Sequence, residues 1–291
     1  MTSSKESFLN HLRAEWYRPD LVRYVPEALP TSVLAALASE QSSQEVPLGL
    51  IGPTSIVQYY LILNSINHQF WSLDEQGQMV RYIHDGNVGA LALRAGIDRL
   101  IAERGLDMEE PLTVQDVAHY FGAIPEPHVR CSILNQAFFK SGVLAHALVA
   151  DMEEGWTVME ALNIAQTLPL GYTDEALKKA QLALYMAAQS LRSIGIEVPV
   201  EFTVFADYQV PKVMRHLGQL EFSPELAAKI DAGQLLDADS VEERAIRAAT
   251  ILCGEDTSAR SGVPTGQLDF WYWQQRNDTA LPFHRTLTVA Y

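Results

Sequence analysis

Residues 174–195 read DEALKKAQLALYMAAQSLRSIG. An acid opens the stretch, a glycine closes it, and no proline interrupts the apolar and alanine-rich interior. Asp174 is an N-cap type and Gly195 a stop, so the spacing predicts a long helix through Leu191. The same reading repeats in both directions. Upstream, residues 128–150 are apolar, with Asn135 and Lys140 interspersed. Pro53-Thr54 opens a buried run from Ile56 to Ile66, and residues 88–104 carry helical spacing up to Gly105. Thr113 with Asp116 forms a capping-box pattern. Downstream, Ser223-Pro224 is a cap followed by proline at the first helical position. Ser240 with Glu243 is a second capping box, before a helix expected to end near Gly254. Strand signals are few. Phe70–Ser72 and Met79–Tyr82 flank DEQGQ as a hairpin, Phe202–Phe205 reads as extended, and Arg285–Tyr291 as a further strand. The expected architecture is mainly α: a single helical domain over 46–291 with a small β-hairpin, preceded by an N-terminal helical segment over 1–45. Residues 39–45 are polar and read as a loop.

The chain has 291 residues, with 36 acids against 21 bases and a formal charge of −15. Such a surface repels nucleic-acid phosphates, so the expected partner is a small ligand held by a few local cations. Cys131 and Cys253 lack CxxC spacing and read as buried free thiols in a reducing, cytoplasmic compartment. The start, MTSSKESFLNHL, carries charge throughout and is not expected to be a signal peptide. No run of about 18 consecutive apolar residues is seen, so no membrane span is expected. The histidines show neither HExxH nor HxH spacing, and neither a P-loop nor a GxSxG elbow occurs. Neither metal nor cofactor is expected.

Three clusters carry possible chemistry. In FADYQVP, Asp207 lies between Phe205 and Tyr208, four residues before Pro211. Helix capping is the ordinary role of an aspartate there. In LDFWYWQ, Asp269 precedes Phe270, Trp271, Tyr272 and Trp273, with Gln274 after them. Consecutive helical residues point in different directions, so some of these rings face a cavity, a partner or solvent. Rings of this kind stack on planar bases, and a carboxylate accepts from two adjacent N–H groups of a guanine-like edge. A helix wedged into the core is the plainer alternative. The third cluster is cationic: Lys178 and Lys179, with His284 and Arg285, are candidates for a phosphate. His68 and Trp71, in NHQFWS, are candidate ligand contacts.

These segments resemble the queuosine salvage protein family, the queuosine 5′-phosphate N-glycosylases. The resemblance rests on FTVFADYQVPKVMRHLGQLEFSPEL (202–226), LDFWYWQQR (268–276) and LPFHRTLTVAY (281–291). Weaker support comes from NHQFWS, GALALRAGIDRLIAERG, HVRCSILNQ and LKKAQ, in the same order along residues 46–291. It implies a helical fold like that of helical DNA glycosylases, and hydrolysis of the bond between ribose and the base queuine for reuse in tRNA. It implies Asp207 as the catalytic carboxylate, with Phe205, Asp269 and Phe270 at the base. Gln274 stands where some relatives have an acid, and the Lys178–Lys179 pair where they have Lys-Arg. A carboxylate beside the anomeric carbon would stabilise an oxocarbenium-like transition state. Two other readings stay open from sequence. A DNA base glycosylase would need a basic groove. A non-catalytic queuine-binding protein would not need a carboxylate at position 207.

Overall fold

The computed structural model describes residues 3–26, 30, 32–33, 36–37 and 45–291. Apart from Glu45, the loop expected over 39–45 lies outside the described residues.

The chain is mainly α. In order, the described elements are α1 (Ser4–His11), β1 (Val22–Tyr24), α2 (Pro53–Ser65), β2 (Trp71–Leu73), β3 (Met79–Arg81), β4 (Ile83–His84) and β5 (Asn87–Val88). There follow α3 (Ala90–Arg104), α4 (Val114–Phe121), α5 (Pro127–Ala150), β6 (Trp156–Thr157), α6 (Val158–Thr167) and α7 (Lys178–Ser193). The last are β7 (Val200–Glu201), α8 (Val210–His216), β8 (Leu220–Phe222), α9 (Pro224–Asp231), α10 (Val241–Ser261) and α11 (Thr265–Gln274). They group into two compact units: residues 1–42, 157–159 and 201–288, and residues 43–156, 160–200 and 289–291. The N-terminal segment thus belongs with the C-terminal third of the chain.

In the second unit α2 packs against α5 and α7. Every residue of α2 from Ile56 to Ser65 is buried, the pattern of a helix surrounded by others. Its polar side chains are satisfied internally. Tyr59 donates to Asp98 Oδ1 at 2.5 Å, and Tyr60 shares a 2.7 Å bond with Ser190. The hairpin forms as expected, with Trp71 opposite Arg81 and Leu73 opposite Met79. Asp74 Oδ1 closes its turn by accepting the N–H groups of Gln76 and Gln78. The Thr113–Asp116 capping box is reciprocal.

In the first unit β1 and β8 pair antiparallel, Val22 opposite Phe222. The core around them gathers Val204, Val213 and Met214 with Ile246, Ala249 and Cys253 of α10 and Leu268 and Tyr272 of α11. Ser223 caps α9 through the Leu226 N–H, with Pro224 at the first position.

Three expectations are corrected. α7 starts at Lys178, because Asp174 spends its carboxylate on a preceding turn, accepting from Ala176 and Lys178 N–H, and Leu177 turns left-handed at φ 55°. α10 runs past Gly254 to Ser261. A Cβ on Gly254 would lie 2.2 Å from Val204 Cγ2, so this glycine permits close packing and is no stop. The C-terminal stretch makes a single parallel bridge, Leu235 to Arg285, instead of a strand. By length and composition, α5 is long and apolar enough to cross a membrane. Arg130, Asn135 and Lys140 break its apolar run. In the fold Leu134, Ala137, Ala145 and the charged Arg130 of α5 are all buried.

Candidate functional site

Residues 202–207 of the first unit are buried and belong to no helix or sheet. Their backbone groups therefore need partners elsewhere, and three side chains supply them. Thr265 Oγ1 donates to Phe202 O at 2.6 Å, Asp269 Oδ1 accepts the Phe205 N–H at 2.8 Å, and Arg247 Nε donates to Ala206 O at 3.1 Å. Thr265 and Asp269 come from α11 and Arg247 from α10. Arg247 is itself buried and lies 3.5 Å from the Glu243 carboxylate, one turn earlier. Removing any of these would orphan a buried polar group, at about 1–3 kcal/mol.

The segment ends on Asp207. Its Oδ1 accepts the N–H of Gln209 at 2.6 Å and of Val210 at 3.0 Å, where the chain turns into α8, with Pro211 in the first turn. Helix capping is therefore real. It occupies only one oxygen: Oδ2 has no hydrogen bond from the described residues. Gln209 Oε1, beside it in the chain, is buried and likewise without a partner among them. Tyr208 packs against Phe283 with ring centroids 4.7 Å apart.

The aromatic run on α11 splits by direction. Tyr272 enters the core and donates to Gln219 Oε1 at 2.9 Å, while Trp271 packs against the core edge. Phe270 and Trp273, three residues apart, stack at 6.5 Å with 16° between planes. Gln274 is exposed. The guanidinium of Arg276 lies 3.5 Å over the Trp273 ring.

The cationic candidates are engaged. His284 is buried, and burial, with the Arg247 charge adding, pushes its pKa down to about 3, so it is neutral. Arg285 donates to Gly233 O at 3.2 Å. In the second unit, Lys179 is fully buried and donates to Ser65 O at the C-terminal end of α2, a favourable place for a cation. It lies 3.4 Å from His68 Nδ1. Burial, reinforced by Lys178 and Arg130, holds Lys179 well below the usual lysine range. His68 is lowered too, by burial first and then by Arg130, Lys179 and Lys178, and its Nε2 has no partner among the described residues. The buried Arg130 donates to the carbonyls of Pro125, Ile66, His68 and Gln69. Lys178 is buried, and its backbone N–H is bonded to Asp174. Trp71 is buried at the start of the hairpin. Asp207, Phe205, Tyr208, Asp269 and the α11 aromatics thus share the first unit, and His68, Trp71, Lys178 and Lys179 the second.

Sequence reasoning missed Arg247, Thr265 and Arg276. Two of them left a trace: Arg247 is a lone cation in the apolar stretch Ala245–Ile251, and Arg276 follows Trp273 by the three residues that bring a guanidinium over a ring. Among the described residues, no group of three or more His, Cys, Asp or Glu could hold a metal ion.

Residues 175–291 match the model of the queuosine salvage protein family. A protein of Sphaerobacter thermophilus named queuosine 5′-phosphate N-glycosylase/hydrolase is 29% identical, over 82% of this chain and 83% of its own. Proteins of the same name from Mus musculus and Nematostella vectensis are 27% and 25% identical, over 80% and 81% of this chain and 81% and 82% of theirs. By the matched segment and by this coverage, the chain is similar to the queuosine salvage proteins.

Proposed function

We propose that this protein hydrolyses the N-glycosidic bond of queuosine 5′-monophosphate, releasing queuine for salvage into tRNA. The observation that carries the reading is Asp207, a carboxylate anchored through Oδ1 with Oδ2 left unbonded. The names of the relatives supply the substrate.

As the C1′–N bond breaks, the electron pair leaves with the base and positive charge spreads over C1′ and the ring oxygen. Oδ2 of Asp207, fixed by its own cap, meets that charge with little reorganisation. Water then forms the new C1′–O bond, and its proton goes to the departing base. Phe270, on the same helix, offers a ring face to the base, and Asp269, which also holds the Phe205 N–H, offers its carboxylate to the guanine-like edge. Two buried free thiols and a charge of −15 support a reducing cytoplasmic setting and a free nucleotide, not a nucleic acid, as substrate.

The test is incubation of the purified protein with queuosine 5′-monophosphate and chromatography of the products. Queuine and ribose 5-phosphate in equal amounts are expected. Binding of the nucleotide without cleavage would replace the reading with a non-catalytic carrier.

A further inference from the structure

We infer that Arg276 is the cation that receives the 5′-phosphate of the nucleotide, forming an anion subsite in the same unit as Asp207; the inference rests on the nucleotide-hydrolase reading above. Arg276 lies just after α11, in the short turn Gln275–Asn277. Two contacts orient it: the guanidinium lies 3.5 Å over the Trp273 ring, and Nη1 donates to Trp273 O at 2.9 Å. Its backbone is held as well, since Lys212 Nζ donates to Arg276 O. Lys212 belongs to α8, the helix that Asp207 caps, so one helix ties the carboxylate and the cation into a single frame.

A guanidinium has five N–H donors, and the described residues take only one of them. No carboxylate among those residues pairs with Arg276, although acids outnumber bases in the chain. The group is half-buried, and its remaining donors stay reachable. Burial lowers its pKa while the negative charge of Asp207 raises it, which puts the two charges within electrostatic reach without an ion pair.

A nucleoside monophosphate would engage both groups. Its anomeric carbon would meet Asp207 Oδ2, and its phosphate lies about one sugar's width away. Without a cation there, the phosphate and the Asp207 carboxylate would repel each other across the ribose. A stacked, pre-oriented guanidinium offsets that repulsion and offers a two-pronged fork to phosphate oxygens. It also supplies local attraction in a protein whose overall field repels anions.

The test measures binding separately from turnover. Calorimetry with Asp207→Asn protein compares queuosine 5′-monophosphate with the unphosphorylated nucleoside, with and without Arg276→Ala. Loss of the charge-assisted fork is expected to cut the preference for the monophosphate roughly 10- to 100-fold. Arg276→Lys should restore part of it, because the charge returns without the fork. A preference that survives Arg276→Ala, or an equal loss on both ligands, overturns the inference and leaves Arg276 a support for Trp273. Turnover by wild-type protein decides the hydrolase reading on its own. An Arg276-dependent preference in a protein that releases no base would sustain the subsite and remove the catalysis. Cleavage alongside an Arg276-independent preference would do the reverse.

Discussion

Replacing Asp207 by asparagine keeps the cap and removes the charge. Asparagine presents an amide oxygen where Oδ1 accepts the N–H groups of Gln209 and Val210, and Asn and Asp cap helices about equally well. Stability should therefore stay within about 0.5 kcal/mol of wild type, whereas Asp207→Ala should lose ~0.5–2 kcal/mol. Catalysis should respond differently. A carboxylate roughly 4 Å from a developing unit charge contributes about 4 kcal/mol at an effective dielectric of 20. Losing it slows the chemical step about 10³-fold. The interaction exists mainly in the transition state, so kcat should fall while nucleotide affinity is retained. The assay pairs urea denaturation with timed queuine release for wild type, Asn and Ala variants. A wild-type kcat in Asp207→Asn, with stability lost only in Asp207→Ala, would make Asp207 a cap alone and refute the reasoning.

Three further outcomes follow from the packing around that segment. Asp269→Ala strands the buried Phe205 N–H; it should cost about 1–3 kcal/mol in stability and weaken queuine binding by roughly 2–4 kcal/mol, and calorimetry showing wild-type affinity would move base recognition elsewhere. Gly254→Ala gains up to about 1 kcal/mol of helix propensity. It forces a methyl group to within 2.2 Å of Val204 Cγ2, an overpacking cost of ~1–3 kcal/mol; a higher Tm with unchanged kcat would show that the 202–207 segment yields freely. Acid should destabilise the first unit through His284, whose folded pKa of about 3 lies below the ordinary 6.5. Its contribution is complete above pH 6.5 and is lost as the pH falls toward 3, on the order of 5 kcal/mol in all. The unfolding free energy of His284→Gln should fall less steeply with acid, and parallel curves for the two proteins would exclude this source.

Helices, caps and the hairpin were legible in the chain because they depend on neighbours within about four residues. Thr113 with Asp116, Ser223 with Pro224 and the DEQGQ turn all appear where the residues indicate. Asp207 was readable as a cap for the same reason, and four consecutive rings on one helix meant that α11 could not bury them all on one face. Tertiary structure alone decided how the irregular 202–207 segment is held: the bonds from Arg247, Thr265 and Asp269 join residues 41, 63 and 64 positions apart. Such separations leave no period in the sequence. The same limit turned Gly254 from a stop into a packing contact, because what a missing Cβ makes room for, here Val204, lies on another segment. It also placed Lys179 on a buried carbonyl, since a lysine facing a helix end and one facing solvent read identically along the chain. That Oδ2 of Asp207 stays unbonded among the described residues, and that Arg276 meets no carboxylate there, emerge only when distant segments meet. Hydrogen bonds and charges act through space and not along the chain.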